Sequence, residues 1–134
     1  ANLNVKSEKP IKNQADYFFF ELPINKKGTE SWHLNYFYPE RIDPFEIPFV
    51  VNEQYSYEIA LSNNIILINP VELVQMKTEF GELVLSTERK ENKILVKRML
   101  VINQKEISVN DYPDFKKMMD LWNDVNKRKI VLKK

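Results

Sequence analysis

The chain has no cysteine, only two glycines and a single histidine in 134 residues. Without cysteine there can be no disulfide, no thiolate metal ligand and no cysteine nucleophile. Two isolated glycines, Gly28 and Gly81, cannot make a phosphate-cradling loop. One imidazole, His33, cannot build a histidine-rich zinc site, and nothing near it in sequence resembles a triad. Charge is balanced, with 20 Lys and Arg against 19 Asp and Glu, a formal net charge of +1. That balance supplies no long-range attraction to nucleic acid or to an anionic membrane. No run has the length and apolarity of a membrane span. The opening ANLNVKSEKP lacks the apolar core of an export signal, and a chain starting at Ala1 is read as processed or as a fragment.

What the chain does have is apolar and aromatic content, 43% and 12%. A chain of this length buries about two-thirds of its unfolded surface, enough for one self-sufficient domain. Residues 1–14 are polar and read as a lead-in or linker, leaving 15–134 as a single β-rich domain.

Period-2 alternation dominates the pattern. Phe18, Phe20, Leu22 and Ile24 share one side of a first strand, and Tyr17 and Phe19 share the other. A turn containing Gly28, suited to positive φ, is expected to lead into a second strand over 31–38, paired with the first as a hairpin. Pro39, Pro44 and Pro48 argue against a helix and against a central strand in the next stretch. Tyr55, Tyr57, Ile59 and Leu61 then alternate with polar residues, as in a half-buried strand. Residues 65–68 form a short apolar run after a turn at Asn63 and Asn64. Residues 71–80, 82–88 and 93–103 predict an antiparallel meander, with Ile94, Val96, Leu100 and Ile102 on one side. Arg98 interrupts that side and is placed near a sheet edge.

From Pro113 the period changes. Phe115, Met118, Met119, Trp122 and Val125 lie on one stripe of an amphipathic helix over about 113–126. Asp111 and Asp114 fit a helix start, and Lys127, Arg128 and Lys129 fit its end. Ile130, Val131 and Leu132 return to strand. The fold class is therefore mainly β, an antiparallel β-sandwich with one C-terminal amphipathic helix.

The candidate interaction surface is aromatic: Trp32, Tyr36, Tyr38, Tyr55 and Tyr57, neighbours of His33 and Phe37 in the pattern. Such residues serve sheet cores, protein interfaces and ligand platforms alike. No catalytic, cofactor-binding or metal-ligating residue is assigned. Paired carboxylates could in principle hydrolyse a glycoside, with Asp111, Asp114 and Asp120 the available acids, but helix capping is the simpler reading.

Three stretches carry a family likeness: RIDPFEIPF followed at short distance by YSYEIAL, the Gly81 hairpin with ILVKRMLVINQKEIS, and DYPDFKKMMDLWNDVNKRKIVLKK. Together they span about 41–134, and the chain resembles the C-terminal β-rich domain that follows the transglutaminase-like core of multidomain bacterial proteins. The resemblance implies a papain-type Cys-His-Asp core elsewhere in the polypeptide, and none of those catalytic residues maps onto this chain. It also implies an exported, periplasmic or envelope-associated setting. The expected function is a non-catalytic structural or interaction domain, with neighbouring domains or a protein as partner. The alternative is a carbohydrate- or peptide-binding sandwich. No cofactor, nucleic acid or membrane span is expected.

Overall fold

The computed structural model describes residues 12–14, 16–32 and 39–134. It is mainly β, with three antiparallel sheets arranged as a sandwich and one helix near the C-terminus. The largest sheet has strand order β4-β8-β7-β6, from β4 (Val51–Ala60), β6 (Glu72–Lys77), β7 (Gly81–Lys90) and β8 (Lys93–Ile102). The expected meander is present as β6-β7-β8. A second sheet has order β1-β2-β10-β5, from β1 (Lys12–Gln14), β2 (Tyr17–Glu21), β5 (Ile66–Leu67) and β10 (Lys129–Lys133). Two short strands, β3 (Phe45–Glu46) and β9 (Glu106–Ile107), pair with each other, and Pro44 and Pro48 bracket β3.

The inner face of the large sheet serves two cores. At one end Ile102, Leu100, Leu83, Leu85 and Val51 pack under α1 (Tyr112–Asn123), which contributes Tyr112, Phe115, Met118, Met119 and Trp122. At the other end Ile94 and Val96 meet Phe18, Phe20, Ile130 and Leu132 of the second sheet. Strict alternation along ten-residue strands lets one face do both jobs, because every second side chain points inward along their whole length.

Four expectations are corrected. Thr29–Trp32 form a short 3-10 helix, so Ser31 and Trp32 do not begin a strand. The rest of that predicted strand, 33–38, lies outside the described residues. β2 pairs with β1 and β10 instead, burying Phe18 and Phe20 against the C-terminal strand. The helix ends at Asn123, where Asp124 turns extended (φ −62°, ψ 111°) and its carboxylate accepts from the Asn126 amide. Val125 therefore leaves the stripe, enters the 3-10 turn Val125–Arg128 and is 48% exposed. Neither glycine has positive φ; both are selected by space. A Cβ on Gly81 would fall 2.1 Å from the Val101 carbonyl oxygen, and one on Gly28 would overlap the Glu53 carboxylate.

Candidate functional site

Arg98 overturns its expected position. It belongs to β8, an interior strand, and stands opposite Tyr55 of β4 and Leu85 of β7. Only 2% of it is exposed. It points inward where the two cores meet, the one polar residue among Ile94, Val96, Leu100 and Ile102. Its Nη2 donates to the Trp122 carbonyl at 2.8 Å and its Nη1 to the Lys127 carbonyl at 3.4 Å. The guanidinium carbon lies 4.6 Å from the Trp122 ring centroid. The helix has no basic residue in its own last turn, so Arg98, supplied by the sheet, is the cation at the negative end of the helix dipole. Burial holds its guanidinium down at about 10, still charged at neutral pH.

The seam continues from Trp122. Its indole Nε1 donates to Thr29 Oγ1 at 2.9 Å, and that hydroxyl donates to Glu53 at 2.9 Å. Glu53 also accepts from the Thr29 amide at 3.1 Å. Arg128 faces Glu21 at 3.8 Å and Glu30 at 3.9 Å. Lys127 reaches Glu72 with a 2.9 Å contact. These contacts link β4, β6, β8, the two 3-10 turns and α1, which ties both cores together. The bonds run between the domain's own elements, which is the chemistry of positioning, although Nε of Arg98, Nε of Arg128 and the indole N–H of Trp32 are buried without a partner among the described residues.

The aromatic candidates divide. Trp32 is buried in the helix-side core, edge-on to Phe49 with centroids 5.5 Å apart. Tyr55 and Tyr57 are stacked, 6.1 Å apart and 5° from parallel. Their hydroxyls hold the segment after β2: Tyr55 accepts from the Asn25 amide at 3.0 Å, and Tyr57 donates to the Pro23 carbonyl. Burial pushes the Tyr57 hydroxyl up to about 12 and raises that of Tyr55. Tyr36, Tyr38 and His33 lie outside the described residues.

The acids do not converge. Asp120 pairs with Lys116 one helical turn away, at 2.5 Å. Asp111 occupies the helix N-cap position without a side-chain capping bond, and its amide donates to Ser108 Oγ. Lys127, Arg128 and Lys129 follow α1 rather than ending it, so the end-of-helix role expected of them belongs to Arg98. Among the described residues, no group of three or more His, Asp or Glu side chains could hold a metal ion, and no helix is long and apolar enough to cross a membrane. A cleft of about 280 Å³ beside Glu72, Thr87 and Lys127 includes the Glu72–Lys127 pair and Asn69, whose carboxamide oxygen accepts from the Val131 amide.

The outer face of the large sheet is different. Its central rows read Gln54–Met99–Val84–Gln75 and Ser56–Lys97–Ser86–Leu73 across β4, β8, β7 and β6. Lys97 is the only charge in those eight positions. Beyond them stand Glu82 and Lys77 on one side, and Glu58, Lys93 and Glu88 on the other. The centre is uncharged apart from Lys97, and the rows beside it mix these acidic and basic residues with Asn52, Val101 and Leu95. No described element lies over it.

Residues 16–132 match the model of a family described as a domain of unknown function with a solved structure (DUF3858). No curated protein matches the sequence. Among solved structures, a protein from Parabacteroides distasonis ATCC 8503 described as a "putative protease" superposes with a TM-score of 0.78 at 19% identity. The alignment covers 90% of this chain and 24% of that protein, so the chain spans about a quarter of its relative's length. At that identity the likeness establishes the fold.

Proposed function

The chain belongs to the DUF3858 family, and from that premise we propose that it is a non-catalytic accessory domain of a larger protease-like polypeptide. In this reading it docks on the remainder through the outer face of the β4-β8-β7-β6 sheet. The observation that carries it is the pair Met99 and Val84 at the centre of that face, flanked by Gln54, Gln75, Ser56 and Ser86, with Lys97 the one charge among them. The hydrogen bonds linking Arg98, Trp122, Thr29 and Glu53 support a scaffold role, since they hold the domain's own elements. The one-quarter coverage of the Parabacteroides protein supports a place beside a larger body.

The RIDPFEIPF and DYPDFKKMMDLWNDVNKRKIVLKK segments favour a transglutaminase-like, papain-type core as that body and a periplasmic or envelope setting. Of the aromatic candidates, Tyr55 and Tyr57 anchor residues 23–25 and Trp32 packs in the helix-side core, while Tyr36 and Tyr38, outside the described residues, are kept as candidate contacts.

The test is Met99→Glu in the longer polypeptide, read by the tumbling time of this domain. A carboxylate at the centre of the face should free the domain to tumble on its own while leaving its fold intact. Unchanged tumbling, or independent tumbling of the wild type, refutes docking through this face.

A further inference from the structure

The sheet edge at β6 carries an inference independent of the docking face. Among the described strands β6 has one neighbour, β7, so its other side is an open ladder. Edges are commonly blunted by charge, proline or a bulge. Here the four residues from Leu73 to Met76 are uncharged and contain no proline, and the pairing with β7 runs without interruption. Leu73 is 67% exposed and Val71, just before the strand, 66%. Val74 and Met76 point inward and are only partly buried, at the margin of the helix-side core.

The sequence of this edge is complementary to itself in one register. Antiparallel pairing about a two-fold axis normal to the sheet keeps inner faces aligned only if inward residues meet inward residues. Centring the axis on Gln75 sets Val74 opposite Met76 of the second copy, and Met76 opposite its Val74. Gln75 faces Gln75, and Leu73 lies against the aliphatic stem of Lys77. No like charges meet. Shifting the axis to Val74 would instead set Glu72, already bound to Lys127, against Met76. We propose that β6 pairs with β6 of a second copy of this chain in that register, joining two four-stranded sheets into one of eight. The two docking faces then lie on the same side of the joined sheet.

The test is sedimentation of the wild-type chain and of Gln75→Lys and Gln75→Glu, alone and mixed one to one. Gln75 is exposed, so neither change disturbs the fold, which far-UV circular dichroism checks. The wild type is expected to show a reversible monomer–dimer equilibrium. Each variant alone should be monomeric, because like charges face each other at the axis. The mixture should recover the dimer. A wild type that stays monomeric at about 1 mM, variants that dimerise as it does, or a mixture that stays monomeric would each overturn the proposal; an edge built for an extended peptide gives the first of these.

Discussion

Arg98 and Trp122 meet twice: the guanidinium lies 4.6 Å over the indole, and it donates to the carbonyl of the same residue at 2.8 Å. A sheet residue thereby both covers the ring that α1 inserts into the core and terminates the helix that carries it. The two cores share this contact, so its loss should be felt in both.

Replacing Trp122 by alanine removes a 5%-exposed indole, its bond to Thr29 and the platform under Arg98. The expected cost is about 3–5 kcal/mol, a large part of the total stability of a small domain. Urea denaturation should show a much lower midpoint. A midpoint equal to wild type would mean that the helix does not dock as described.

Arg98→Met keeps volume and removes a costly buried charge, but it leaves the buried Trp122 carbonyl without its donor. A buried group left unpaired costs about 1–3 kcal/mol. Net destabilisation in that range is expected, with Arg98→Lys also impaired because an ammonium cannot span two carbonyls in the guanidinium's geometry. Equilibrium unfolding of both variants checks this. An Arg98→Met protein more stable than wild type would show that desolvation outweighs the cap.

The two glycines should differ. At Gly81 an added methyl meets the Val101 backbone, which is locked in the β7–β8 ladder. At Gly28 it meets the end of a side chain, which can move at the expense of the Glu53–Thr29 bonds. Gly81→Ala should therefore lower the thermal midpoint clearly more than Gly28→Ala. The reverse order would contradict the packing described at Gly81.

The Tyr57 hydroxyl, pushed up to about 12 by burial, should be among the last phenols to ionise. The ordinary value is 10.0, so the unfolded chain releases this proton first. The linked stability is present below that pH and is lost as the pH climbs through about 12. Arg98, with its folded value lowered, works in the opposite direction over the same alkaline range, so absorbance is the cleaner readout. Tyr57→Phe should remove one phenol from the high-pH end of the titration at the tyrosinate band. Loss from the ordinary range instead would place that hydroxyl in water.

Much of this architecture was legible because alternation is local. The YSYEIAL pattern, the hairpin around Glu91 and Asn92, and the stripe of Phe115, Met118, Met119 and Trp122 each report on one element and the face it buries. Ser31 and Trp32 misled because an aromatic at period 2 is equally compatible with a single tight turn that buries one indole. Arg98 misled because a charge on an apolar strand face usually marks an edge. Its real partners are backbone carbonyls 24 and 29 residues away, which no spacing rule reveals. The available signal was symmetry: apolar alternation continues on both sides of Arg98, which an edge position does not explain. The face proposed for docking was hidden for a related reason, since its nearly uncharged rows appear only when four strands are set in register.

The most direct test of the central claim uses the absence of cysteine. Ser86 lies in the middle of the outer face, between Lys97 and Leu73, and Ser86→Cys gives the chain its single thiol. Labelling rates at that thiol, followed by peptide mass spectrometry, should be compared in the isolated chain and in the longer polypeptide. Rapid labelling in the isolated chain and strong protection in the longer polypeptide is the predicted result. Equal, rapid labelling in both would show that the face stays open to solvent and would contradict the assignment of this sheet as the docking surface.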